Sequence, residues 1–163
     1  MRFSVLALTL LCAAACSGEP IAVPTSAFAP DSGVVFEGDK ARELTQQCSR
    51  AAPGPAEETW TPEAADIAAM EPALATLIDT ELYAQWPNEA LSASDYRRQY
   101  GGLIVGGRRI IYINGFRAEG EDGEIAVWRT WPMIICDGGP ITFGVEYDPA
   151  DGSFSNFAFN GVA

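Results

Sequence analysis

The sequence predicts an α+β fold, two N-terminal helices packed on a five-stranded antiparallel meander sheet with one disulfide. Three observations carry that expectation. Apolar residues recur at helical spacing between residues 61 and 82, they shift to strand-like runs from Tyr96 onward, and Gly- or Pro-containing turns separate the later segments. Helix, helix and then strands on short connections is the order of a layered domain whose helices cover one face of the sheet.

The elements follow in order. A short helix is expected after Gly38 with Asp39 as N-cap, which sets Ala41, Leu44 and Cys48 on one face and turns Cys48 inward. The run Ala51-Ala52-Pro53-Gly54-Pro55 ends it. A longer helix starts at Thr61-Pro62-Glu63, a capping hydroxyl, a proline of pre-set φ and an acid at the positive helix end. Ile67, Met70, Leu74, Leu77, Ile78 and Leu82 form its apolar stripe, and Pro72 predicts a kink or a restart.

Leu103-Ile104-Val105 and Ile110-Ile111-Tyr112-Ile113 flank Gly106-Gly107, a two-residue hairpin that places Val105 opposite Arg108 and Gly101 opposite Tyr112. One hairpin face then carries Ile104, Ile111 and Ile113, suited to the helix stripe. The other carries Leu103, Ile110, Tyr112 and Asn114. Residues 117–124 read as a polar loop and residues 125–136 as a third strand, bent near Pro132. Residues 141–147 alternate Ile141, Phe143, Val145 and Tyr147 with Thr142, Gly144 and Glu146, and residues 153–159 form the last strand after a turn.

A chain of 163 residues with 48% hydrophobic content forms one core. Its net charge of −12 repels phosphate backbones, so nucleic acid is not an expected partner. The absence of histidine excludes Ser-His-Asp and Cys-His catalysis and histidine metal sites. Lys40, the one lysine, has no serine beside it for a Ser–Lys dyad. Among the carboxylates, Asp137, Glu146, Asp148 and Asp151 are candidates for a glycoside-cleaving pair, but Asp137, Asp148 and Asp151 stand in turns that favour aspartate for local reasons. Glu119, Glu121, Asp122 and Glu124 lack the spacing of a calcium loop, so no metal is expected. Gly101-Gly102, Gly106-Gly107 and Gly138-Gly139 lack the Lys-Ser/Thr of a phosphate loop, and no cofactor is expected.

Met1-Arg2, the apolar run Phe3 to Leu11 and Ala13-Ala14-Ala15 have the layout of an export signal, too short to remain as a membrane span. This divides the chain into a signal peptide (1–15), a Pro/Ala/Ser tether (16–32) and a single α+β domain (33–163). Ala13-Ala14-Ala15-Cys16 resembles the lipobox of bacterial lipoprotein precursors, with Ala13 where that class more often has Leu. The resemblance covers residues 1–17. It implies that Cys16 receives a diacylglycerol, becomes the N-terminus and anchors the protein to a membrane, and Ser17 resembles the residue of lipoproteins sent to the outer membrane. Cleavage of the same bond by ordinary signal peptidase would instead leave Cys16 a thiol. Cys12 departs with the leader, so with Cys16 lipidated Cys48 and Cys136 remain as one disulfide pair in an oxidising compartment.

The candidate binding face combines Tyr112 and Asn114 of the hairpin with Arg129 and Trp131 of the third strand, because aromatics beside an arginine on a rigid sheet suit a hot spot. The competing expectation is that Tyr112 and Trp131 fill a second small core under the N-terminal segment. The functional expectation is a non-enzymatic envelope module that binds a protein or an envelope polymer, with an inhibitor-like role as one version of it. A carboxylate-dependent hydrolase of envelope glycans and a structural lipoprotein of an envelope assembly are the alternatives. The oligomeric state is not encoded legibly.

Overall fold

Two glycines set the register of the sheet. In the computed structural model, which describes residues 33–117 and 125–162, Gly106 and Gly107 have φ of +59° and +74°. A two-residue hairpin turn of this hand requires positive φ at both positions, which glycine adopts without strain. The turn joins β3 (Tyr96–Val105) to β4 (Arg108–Arg117), with Val105 opposite Arg108 and Gly101 opposite Tyr112 as expected. The signal segment 1–15, Cys16, the tether to residue 32 and the acidic residues 119–124 lie outside the described residues.

From β4 the sheet continues antiparallel through β5 (Thr142–Asp148) to β6 (Ser153–Phe159). The other edge of β3 differs from expectation. Its first half pairs in parallel with β1 (Gly33–Phe36) and its second half antiparallel with β2 (Glu58–Trp60). The sheet is therefore mixed and six-stranded, not a five-stranded antiparallel meander. Four and three residues are too few to display a strand period, so β1 and β2 left no readable pattern. The expected third strand is absent: Ile125–Arg129 forms a 3-10 turn, and no strand follows before β5. Pro132 has no N–H to give a ladder, and the carbonyls around it are bound by side chains instead.

The two helices lie on opposite faces of this sheet, which corrects the one-face arrangement. α2 (Ala64–Gln85) packs Ile67, Met70, Leu74, Ile78 and Leu82 on Tyr100, Ile111, Ile113, Phe143 and Val145. α1 (Gly38–Glu43) sets Ala41, followed by Leu44, on Leu103, Ile110 and Tyr112. Both faces of the hairpin are apolar, so each must be covered. α1 has Glu37, not Asp39, at its N-cap position, with no side-chain cap hydrogen bond, and it ends before reaching Cys48. α2 begins at a capping box formed by Glu63 and Asp66, two residues after Thr61. It runs unbroken through Pro72, because the buried stripe on both sides of the proline holds the helix. No described helix is long and apolar enough to cross a membrane.

Beneath α2 a charged group is buried. Glu71 accepts a hydrogen bond from the Tyr100 hydroxyl at 2.5 Å and pairs with Arg98 at 3.4 Å. Burial pushes the Glu71 pKa above the ordinary carboxylate value, with Arg98 and Tyr100 opposing, and burial raises Tyr100 further from ionisation. An acid whose pKa is higher in the folded chain than in the unfolded one loses stability as pH rises through the interval between them. Urea unfolding across pH should show this decline above the ordinary carboxylate value, and Glu71→Gln should lack it. Parallel pH profiles for the two proteins would contradict the assignment.

Cys48 and Cys136 form the disulfide, 88 residues apart in sequence. It ties the segment after α1 to the segment before β5. Closing a loop of that length restricts the unfolded chain by about 4–5 kcal/mol. The double variant Cys48→Ser/Cys136→Ser should lose about that much unfolding free energy in denaturant titrations, and an unchanged midpoint would argue against it.

Candidate binding surface

The face of β3 and β4 away from α2 is apolar near the hairpin turn and polar at the other end. The polar end carries Gln99 and Asn114, directly opposite each other in register and both buried. Two buried amides on adjacent strands must find partners or cost stability. They find them in each other and in the loop laid over them. Gln99 Nε2 donates to the Trp128 and Trp131 carbonyls at 2.6 and 2.8 Å, and Gln99 Oε1 accepts from the Met133 N–H at 2.8 Å and from Asn114 Nδ2 at 3.0 Å. Asn114 Nδ2 also donates to the Met133 carbonyl at 2.9 Å. Both amides thereby use all their donors, and the Gln99 oxygen accepts twice.

The next stretch of the loop is held the same way. Asn160, just after β6, donates to the Ile135 carbonyl and, at 3.4 Å, to that of Asp137. Gln47 Nε2 reaches the Met133 carbonyl at 3.3 Å, and Lys40 Nζ the Thr130 carbonyl at 2.7 Å. Arg50 anchors the amides from below. Its guanidinium donates to Asn114 Oδ1 at 2.5 Å, to Thr142 Oγ1 and the Tyr112 hydroxyl at 3.3 Å each, and to Asn160 Oδ1. All four acceptors are neutral, so the cation is solvated by oriented dipoles. Gly144 makes room for it: a Cβ there would lie 2.4 Å from Arg50 Nε. Burial raises the Tyr112 pKa, with Arg50 opposing.

The outer side of this loop is apolar and exposed. Val127, Trp131 and Ile134 retain 53%, 58% and 43% of their surface. The Trp131 N–H donates to the Val127 carbonyl, a helical i, i+4 relation that puts both side chains on one side of the turn. Lys40 Nζ lies 4.9 Å from the centre of the Trp131 ring, and the Arg129 guanidinium 4.4 Å from that of the buried Trp128.

The four residues chosen from sequence therefore divide. Arg129 and Trp131 are exposed, on a loop and not on a strand. Tyr112 and Asn114, 2% and 1% exposed, are not surface residues but the supports beneath it. The second-core expectation is right for Tyr112, which packs with Phe36, Ala41 and Leu44, and wrong for Trp131. Gln99, Arg50 and Asn160 were missed. A glutamine and an asparagine directly across a two-residue hairpin from each other was the available signal, since the register was already in hand.

Of the four candidate carboxylates, Glu146, Asp148 and Asp151 have local partners. Asp148 accepts from the Ala150 N–H and pairs with Arg108, and Asp151 accepts from the Ser153 N–H, which with its side chain lowers the Asp151 pKa. Glu146 is buried and accepts from Asn156. Among the described residues no group of three or more His, Cys, Asp or Glu is placed to hold a metal ion. No family model, curated protein or solved structure matches the chain.

If the amides hold the loop, Gln99→Ala strands two carbonyls and an N–H, and stability should fall by about 2–4 kcal/mol. Hydrogen exchange at the Met133 amide should accelerate at least tenfold while the β4–β5 amides stay protected; equal Met133 protection in both proteins would refute the loop's dependence on Gln99.

Proposed function

We propose that the domain is a non-enzymatic binding module of the bacterial cell envelope, exported and anchored through a lipid on Cys16. Its contact surface is the loop of residues 127–134, and its partner is an exported protein, with an inhibitor-like role as one form of that binding. The observation that carries the reading is the contrast between the two sides of the loop. Its backbone is bound from beneath by buried Gln99 and Asn114, while Val127, Trp131 and Ile134 face outward.

That contrast is what recognition requires. Apolar side chains in water cost the free protein solubility, and immobilising a loop on binding costs affinity. A loop already fixed avoids the second cost. Tryptophan and arginine are the residues that most often concentrate binding energy, and here Trp131 and Arg129 stand two positions apart on a fixed turn. A protein partner suits this surface better than a polysaccharide because aliphatic Val127 and Ile134 flank the indole. The lipid anchor and the envelope location rest on the lipobox resemblance and the parity of the cysteines.

The test is affinity capture from an envelope fraction with the mature protein, followed by titration of the captured species. Trp131→Ala and Arg129→Ala should each weaken binding at least tenfold in protein whose β4–β5 amides stay protected from hydrogen exchange, which shows that the fold is kept. A folded double variant that binds as the parent does would remove the loop from the interface. Mass spectrometry of the native product tests the anchor: an acylated Cys16 N-terminus is expected, and an unprocessed Met1 would contradict it.

A further inference from the structure

The C-terminal end of α2 collects groups that favour positive charge. The last turn of this 22-residue helix has no basic residue, so the negative end of its dipole lacks a complement from its own side chains. The chain leaves the helix through Trp86, and a cavity of about 270 Å³ opens where residues 86–92 turn back along the helix. Asp79 and Glu89 bring carboxylates to it, Tyr83 and Trp86 bring aromatic rings, and Leu82 and Leu91 bring aliphatic surface.

In the free protein Asp79 already accepts from the Ala93 N–H at 2.7 Å, Leu82 belongs to the core, and Glu89 is exposed. Carboxylates near a helix C-terminus oppose the dipole. Tyr83 is 81% exposed, the most exposed of the large hydrophobic side chains described. Trp86 is fixed edge-on against Phe159, with ring centres 6.5 Å apart, and its indole N–H is buried with no acceptor among the described residues. Burial first, and then the carboxylates of Asp95, Asp79 and Glu89 against Arg117, push the nearby Tyr96 hydroxyl upward. A bare metal ion is a poor match, because two of the walls are hydrocarbon and the described residues include no group of three metal-ligating side chains.

We propose that this cavity binds an alkylguanidinium or alkylammonium group. The aromatic faces of Tyr83 and Trp86 and the carboxylates of Asp79 and Glu89 take the charged head, and Leu82 and Leu91 take the methylene stem. The same head and stem occur on a small free amine and on an Arg or Lys side chain of a polypeptide. The site is built by α2 and the turn after it, not by the loop of residues 127–134, so it stands or falls independently of the proposed interface.

The experiment is a titration of the isotopically labelled protein with agmatine, with an acetylated and amidated Gly-Arg-Gly tripeptide, and with neutral butylurea. The readout is the indole N–H resonance of Trp86, identified by its loss in Trp86→Phe. A saturable shift is expected with agmatine or the tripeptide, weakened by salt, and absent with butylurea. Glu89→Gln and Tyr83→Ala, both on the surface, should each reduce affinity about fivefold. Whichever cation binds more tightly identifies its source as a free amine or a polypeptide. No shift with either cation, an equal shift with butylurea, or undiminished affinity in both variants overturns the proposal.

Discussion

A peptide chain laid on a sheet without joining it must have its backbone groups satisfied by something other than a ladder. The segment between β4 and β5 meets that constraint with side chains. Gln99, Asn114 and Asn160 are buried, and their amides take the carbonyls of Trp128, Trp131, Met133, Ile135 and Asp137. The Cys48–Cys136 bond fastens the far end of the segment and Lys40 its near end. Removing the amides would leave polar backbone stranded over an apolar sheet, so the loop and the face beneath it are stable only together.

This dependence explains the placement of Arg50. A buried guanidinium without a carboxylate bound to it is costly unless dipoles replace its water. Here Asn114 and Asn160, already committed to the loop through their N–H groups, turn their oxygens to Arg50. Donor and acceptor halves of the same amides thus serve two masters, and polarisation along such a chain strengthens each bond. Gly144 and Tyr112, which look like ordinary strand residues, are what leave room for the cation and accept from it.

Much of the frame was legible because it rests on local rules. The Gly106-Gly107 pair set the β3–β4 register, the stripe from Ile67 to Leu82 set the buried face of α2, and cysteine parity led to Cys48–Cys136. What failed depends on long-range partners. The hydrophobic run of residues 125–136 resembles a strand until the sheet face it covers proves to be lined with amides, and β1 and β2 exist because β3 offers them a free edge. The candidate site was half legible for the same reason. Arg129 and Trp131 were selected by residue type, which reports what an interface is made of. Asn114 was selected by register, which says which face a side chain points to but not whether another segment lies above it.

Recognition through this surface depends on residues 127–134 being held in one conformation before any partner arrives. Backbone ¹⁵N relaxation of the unbound protein addresses it directly. Order parameters near 0.85 through Val127–Ile134, equal to those of β3 and β4, are the predicted result. Values below about 0.6 in that stretch alone would mean that the buried amides do not hold the loop, and the binding surface derived from it would be withdrawn.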